Sequence, residues 1–204
     1  MPFPVTVGAT TVSDPRSLAL LVQADCGPAP SAVPGKRPWQ WILDLVAAGT
    51  LEGRLAIGLS AALLQNEAAA TIAEGARLAT GLREPLLGPI LVRALRSHDT
   101  ALLLQVDPGG AGTSVEDALL AAVEAVADLR EDEVRTSFLE YLRHAGRPDL
   151  EVRVLARHGT PFELSTWLPA VLAEPLPAEA LAPLRARATG SDEAARIVRE
   201  LLPA

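Results

Sequence analysis

The sequence predicts an all-α protein, read most simply as a short α-solenoid of antiparallel helix pairs, with an irregular helical bundle as the alternative. Three observations carry this reading. Alanine (36) and leucine (34), both strong helix formers, make up about a third of the 204 residues. From about residue 14 to the end, apolar residues recur at helical spacing. Aromatic residues are only 3% of the chain, so helices must pack through Leu, Val, Ile and Ala, and small Ala side chains let helix axes approach closely.

Residues 1–12 read as extended, one strand or an N-terminal arm, because Val5, Val7 and Val12 sit among Thr and Gly. Ser13-Asp14-Pro15 opens a first helix with a capping side chain ahead of a first-turn proline. That helix ends near Asp25-Cys26-Gly27-Pro28. Residues 27–38 are a Pro-rich linker, so 13–38 form a first helix and its connection. A helical-repeat domain is expected over 39–204. Trp39–Ala48 is a helix stopped by Gly49. Leu51–Gln65 repeats Leu55, Leu59 and Leu63 at i, i+4 and i+8. Glu67–Thr80 ends at Gly81. Pro85–Ser97 carries a full amphipathic face of Leu87, Ile90, Leu91, Ala94 and Leu95.

Residues 99–106 fit either a short helix capped by Asp99 or a buried strand. Asp107–Gly112 is the strongest break in the second half, and a flexible loop is placed at 107–113. Thr113-Ser114-Val115-Glu116 has the form of a capping box. The following helix carries Val115, Leu119, Ala122, Val126 and Leu129 on one stripe. Glu131–His144 turns Val134, Phe138, Tyr141 and Leu142 inward. Pro148–His158 is a short helix. Thr160-Pro161-Phe162-Glu163 combines an N-cap, a proline at N1 and a glutamate at N3, which marks a firm start. Pro177–Ala188 and Ser191–Leu202 close the chain. About eleven helices result, grouped from residue 39 into pairs roughly 30 residues long.

Asp132-Glu133-Val134-Arg135, followed by Leu139 and Leu142 and ending at Gly146, resembles the second helix of a HEAT-type repeat. Asp149, Val152 and Arg153, ending at Gly159, are a shorter echo. The motif-bearing stretch is about 114–174, and the first half matches by rhythm. Phe138 stands where that family carries a small residue. The resemblance implies stacked helix pairs, Asp and Arg pairing between neighbouring repeats, and first helices bent by proline, for which Pro89 and Pro169 are placed. It carries no active site.

Charge narrows the function. A net charge of −7 and a pI near 5.0 argue against a nucleic-acid binder, which needs a basic surface to displace counterions, and against an anionic membrane surface. The basic residues are 17 Arg and one Lys, Lys36, a bias that a GC-rich bacterial-type genome also produces along with Ala, Gly and Pro. One cysteine, Cys26, excludes an intrachain disulfide and suits a reducing compartment. The first residues lack the basic and apolar regions of a signal peptide, and the most apolar run, Leu55–Leu64, is too short to span a bilayer. The chain reads as cytoplasmic.

No constellation rises to a catalytic motif. His98-Asp99 is similar to the dyad of HD phosphohydrolases, but no histidine precedes it. His144 and His158 sit near helix ends, where positive charge suits the helix dipole. Gly109–Ser114 runs into a helix like a phosphate cradle but lacks the P-loop lysine. Gly58-Leu59-Ser60-Ala61-Ala62 approaches a nucleophile elbow but lies inside a helical pattern. The acidic stretch Glu116, Asp117, Glu124, Asp128, Glu131, Asp132 and Glu133 reads as a solvated face or a dock for a basic partner. Arg77, Arg83, Arg93 and Arg96, and Arg143, Arg147, Arg153 and Arg157, would form a basic ridge if the helices stack in register. The HEAT-like alkylpurine DNA glycosylases use such a surface and are a competing reading. Trp39 and Trp41 lie about 200° apart on a helix, so one faces the core and the other covers a neighbour or an interface.

These features point to a non-enzymatic adaptor or assembly scaffold that binds another protein. Its expected contact residues are Trp39, Trp41, Arg93, Arg96, Arg153, Arg157, Glu124 and Asp128. No cofactor and no metal are expected. An enzyme or small-ligand binder would require polar groups to converge in a pocket, which spacing alone does not display.

Overall fold

Alternating valines on either side of Gly8 fold back on each other. Val5–Val7 (β1) and Thr10–Val12 (β2) form an antiparallel hairpin in which Val5 faces Val12 and Val7 faces Thr10. This replaces the single strand or arm. Gly8 makes the turn with φ +58°, and a Cβ there would collide with the Ala32 carbonyl oxygen. A computed structural model describes residues 3–27, 31–107 and 112–202, and the remainder of the chain is helical apart from short connections. It divides into two compact units, Met1–Ala127 and Asp128–Ala204.

The first unit holds the hairpin, α1 (Pro15–Asp25), α2 (Pro38–Ala47), α3 (Gly53–Leu64), α4 (Ala69–Leu82), a 3-10 turn (Pro85–Leu87), α5 (Gly88–Ser97), α6 (Thr100–Leu103) and α7 (Val115–Val126). Its starts follow the capping chemistry of the sequence. Asp14 accepts the Ser17 N–H at 2.9 Å, and Asp99 accepts the Ala101 N–H at 2.9 Å. The capping box of α7 is one residue later than expected, at Ser114 and Asp117. Thr113 cannot cap, because its carbonyl accepts the Asp107 N–H at 2.8 Å in a strand-like pairing that also bridges Val106 and Ser114. Thr100–Leu103 is therefore a short helix, and Leu104 and Val106 after it are exposed. Most of the Gly-rich loop, residues 108–111, lies outside the described residues; its flanks are in the first unit.

The core of this unit joins Val5, Val7 and Val12 to Leu18 and Val22 of α1, Trp41 and Ile42 of α2, and Leu59 and Leu63 of α3. Two glycines allow α4 to be approached closely. A Cβ on Gly75 would lie 2.9 Å from Leu63 Cβ and 3.0 Å from Leu64 N. Gly81, expected to stop the helix, lies inside it, where a Cβ would overlap Leu43 of α2. The helix ends instead at Arg83, in the left-handed region at φ +54°. α4 packs on α2, α3 and α7; α3 also packs on α1 and α5, and α5 on α7.

The second unit holds α8 (Asp132–His144), α9 (Pro148–His158), α10 (Pro161–Leu172), α11 (Ala178–Ala188) and α12 (Glu193–Leu201). Phe138, Leu139 and Leu142 of α8, Leu155 of α9, Leu164 and Leu168 of α10, Leu184 of α11 and Val198 of α12 are fully buried. α9 packs on α8, α10 and α11, and α12 packs on α10 and α11. Pro169 lies inside α10 as expected. Pro89 falls in the first turn of α5, where its missing N–H costs nothing, and the second interior proline is Pro183 of α11. Among the described residues, no helix is long and apolar enough to cross a membrane.

Candidate functional site

The residues expected to meet a partner divide by burial. Trp41 is in the core, and its indole Nε1 donates to Asp25 Oδ2 at 2.9 Å. Trp39 packs half-buried on the same cluster, and its backbone N–H donates to Glu74 at 3.3 Å. Burial of Leu91, Ala94 and Leu95 on α5 turns Arg93 and Arg96 outward together. On α9, Arg157 is exposed and Arg153 half-buried. Glu124 on α7 and Asp128 are exposed, and Asp128 Oδ1 accepts the Arg130 N–H at 3.0 Å.

Other arginines of the expected ridge are engaged internally. Arg77 pairs with Glu74 and Asp107, and Arg143 with Glu151. Glu74 is fully buried. It also takes Arg37 through Nε at 2.9 Å and Nη2 at 2.8 Å, so two cations and two carboxylates fasten the α2 start and the chain at Asp107 to α4. Beside them, burial and then the Glu74 charge push the Cys26 thiol up to about 12, so it stays protonated and unreactive at neutral pH. The Asp25 carboxylate accepts from Ala32 N–H, Ser31 hydroxyl and Trp41, which holds the described part of the Pro-rich linker against α1.

The groups that resemble catalytic motifs have structural partners. Ser60 is buried in α3 and donates to the Gly75 carbonyl at 3.0 Å. His98 Nε2 lies 2.8 Å from the Leu64 carbonyl, and Asp99 caps α6. His158 departs from the dipole account. Burial first, then the neighbouring Arg157, Arg130 and Arg135, lower its pKa and favour the neutral ring. Among the described residues, no three of His, Cys, Asp and Glu gather as a metal-binding group.

In the second unit, Arg135 is a hub that the sequence singles out only as part of a motif. Its Nε reaches both oxygens of Glu163 at 2.9 and 3.1 Å, its Nη1 the Leu129 and Arg130 carbonyls, and its Nη2 Asp132. Glu163 in turn closes the capping box with Thr160, so one buried pair ties α8 to the start of α10.

Two concavities open on this unit. The first, about 480 Å³, lies between α10 and α12 and is lined by Phe162, Ile197 and Leu201 with Arg196 and Glu200 at its edge. Phe162 is 72% exposed there, and Arg196 pairs with Glu200 at 2.8 Å. The second, about 320 Å³, lies among α8, α9 and α10. Spacing could not reveal either, because each depends on how separate helices pack. The helix starts Pro161-Phe162 and Pro148 were the available local signals. No protein-family model, no curated protein and no solved structure matches the chain.

Proposed function

We propose that the chain is a non-enzymatic helical-repeat module that binds another protein in the cytoplasm. Within the first unit, α1, α3 and α5 pack in succession, and so do α2, α4 and α7, while α3 pairs with α4 and α5 with α7. Within the second, α9 packs on α11 and α10 on α12, while α9 pairs with α10 and α11 with α12. Helices that pack both on a partner and on the next helix of their own row form two layers, which supports the solenoid reading and its likeness to HEAT-type pairs.

The observation that carries the function is the exposed Phe162 over the α10–α12 groove. A phenylalanine at 72% exposure, flanked by Ile197 and Leu201, leaves apolar surface in water, and such patches favour a protein contact. The rim of Glu193, Arg196 and Glu200 supplies polar groups for register.

The test is affinity capture from native lysate with the wild type, Phe162→Asp and an Arg93→Ala/Arg96→Ala double variant, followed by calorimetry with the recovered protein. A specific protein that binds the wild type and loses at least about tenfold in affinity with Phe162→Asp supports the reading. Equal binding by Phe162→Asp removes the groove from it, and retention on DNA at low salt in place of a protein would favour the nucleic-acid alternative.

A further inference from the structure

The cavity among α8, α9 and α10 has a different chemistry from the Phe162 groove. Its floor is Glu151, only 3% exposed, and its walls carry Arg143, Arg147 and Glu174 around an apolar strip of Pro148 and Val171. Glu151 Oε1 takes the Arg143 Nη2 at 2.6 Å, and no second donor among the described residues reaches this carboxylate, which has about four acceptor positions. Glu151 lines the cavity, and every fully shielded side-chain polar atom among the described residues has a partner. Arg143 is fixed by lying 4.7 Å over the Trp167 ring, and Arg147 stands at the edge, 3.7 Å from Asp149. Glu174 is exposed at the mouth. Burial raises the Glu151 pKa even against the pull of Arg143.

The lining therefore presents two guanidinium groups and two carboxylates within about 320 Å³, near the lower end of the size of small-molecule sites. A lone cation would meet Arg143 and Arg147, and a lone anion would meet Glu151 and Glu174. A ligand with both poles satisfies both sets. We propose that this cavity binds a small aliphatic zwitterion of the amino-acid type, with its ammonium on Glu151 and Glu174, its carboxylate toward Arg147 and its aliphatic part on Pro148 and Val171. This site is independent of the protein-binding reading.

The test is a nuclear magnetic resonance titration of the full isotope-labelled chain with L-valine and γ-aminobutyrate, using valinamide and N-acetylvaline as analogues that each lack one pole. At least one zwitterion is expected to give saturable shifts at Gly146, Glu151 and Val171, with both analogues about tenfold weaker or worse. Glu151→Gln should weaken binding by about tenfold. Glu174→Gln, at an exposed position that leaves the fold intact, should weaken it by about threefold. Absence of saturation by both zwitterions at about 50 mM, equal binding of either single-pole analogue, or wild-type binding by both variants would overturn the proposal.

Discussion

Replacing Arg135 by Met tests whether the second unit depends on its buried ion pair. Arg135 is 3% exposed and Glu163 5%, so removing the guanidinium strands a carboxylate whose remaining partners are the Thr160 N–H and hydroxyl. Breaking a buried pair from one side typically costs about 3–5 kcal/mol, whereas an exposed pair contributes at most about 1 kcal/mol. The two carbonyls that Arg135 serves, at Leu129 and Arg130, add to the loss wherever water does not replace it. Arg135→Met should therefore destabilise the second unit by about 3–5 kcal/mol. Adding Glu163→Gln should recover about 2 kcal/mol as coupling, because the stranded charge is gone. Urea unfolding of fluorotryptophan-labelled protein reads this directly. Of the three tryptophans, Trp167 alone lies in the second unit, so its fluorine resonance follows that unit by itself. A loss under about 1 kcal/mol, or single-variant effects that add within about 0.5 kcal/mol, would refute the argument.

Three further outcomes are expected. With a thiol raised to about 12, roughly one Cys26 in ten thousand is thiolate at pH 8, so a disulfide reagent should label it only at the rate of unfolding; prompt labelling of native protein contradicts the burial account. Gly75→Ala gains up to about 1 kcal/mol of helix propensity but drives a methyl into Leu63 and the Leu64 backbone, so a net loss of about 1–3 kcal/mol is expected in denaturant titrations, and a gain would mean that α3 and α4 can separate freely. The His158 ring should titrate below its ordinary 6.5 in a proton resonance experiment. Because the folded value is the lower one, its contribution to stability is full above the unfolded value and is lost as pH falls through the folded one; a midpoint at or above 6.5 would contradict this.

Helices were legible because their signals are local. Asp14-Pro15, Thr160-Pro161 with Glu163, and the Leu/Val stripes each specify a start or a face within a few residues. The hairpin was legible in principle, since Val5-Thr6-Val7 and Thr10-Thr11-Val12 flank the two-residue connection Gly8-Ala9. The division at Ala127 was not, because a unit boundary depends on which helices touch. Glu74 illustrates the same difficulty for the charged groups. In the sequence it is one more helical glutamate, and Arg37, arriving from 37 residues away to join Arg77, makes its complete burial tolerable. Gly81 misled for a related reason: the same residue that ends helices also admits a neighbouring helix, and Leu43 decides between the two roles. The cavity floor at Glu151 needed α8 and α10 in place before its chemistry appeared.

The packing of helices on those one to three places away within each unit also governs how the chain finds its fold. Such contacts close short loops, and the entropy lost in closing a loop rises with its length. Each unit can therefore accumulate order helix by helix, without waiting for distant segments to collide, which places it among the faster-folding topologies. The links onto α4 from Arg37 and Asp107 reach across 37 and 30 residues, and the packing of α7 on α4 spans a comparable stretch. Links that close last are absent from the folding transition state, so variants that remove them and leave the helices intact should speed unfolding more than they slow refolding.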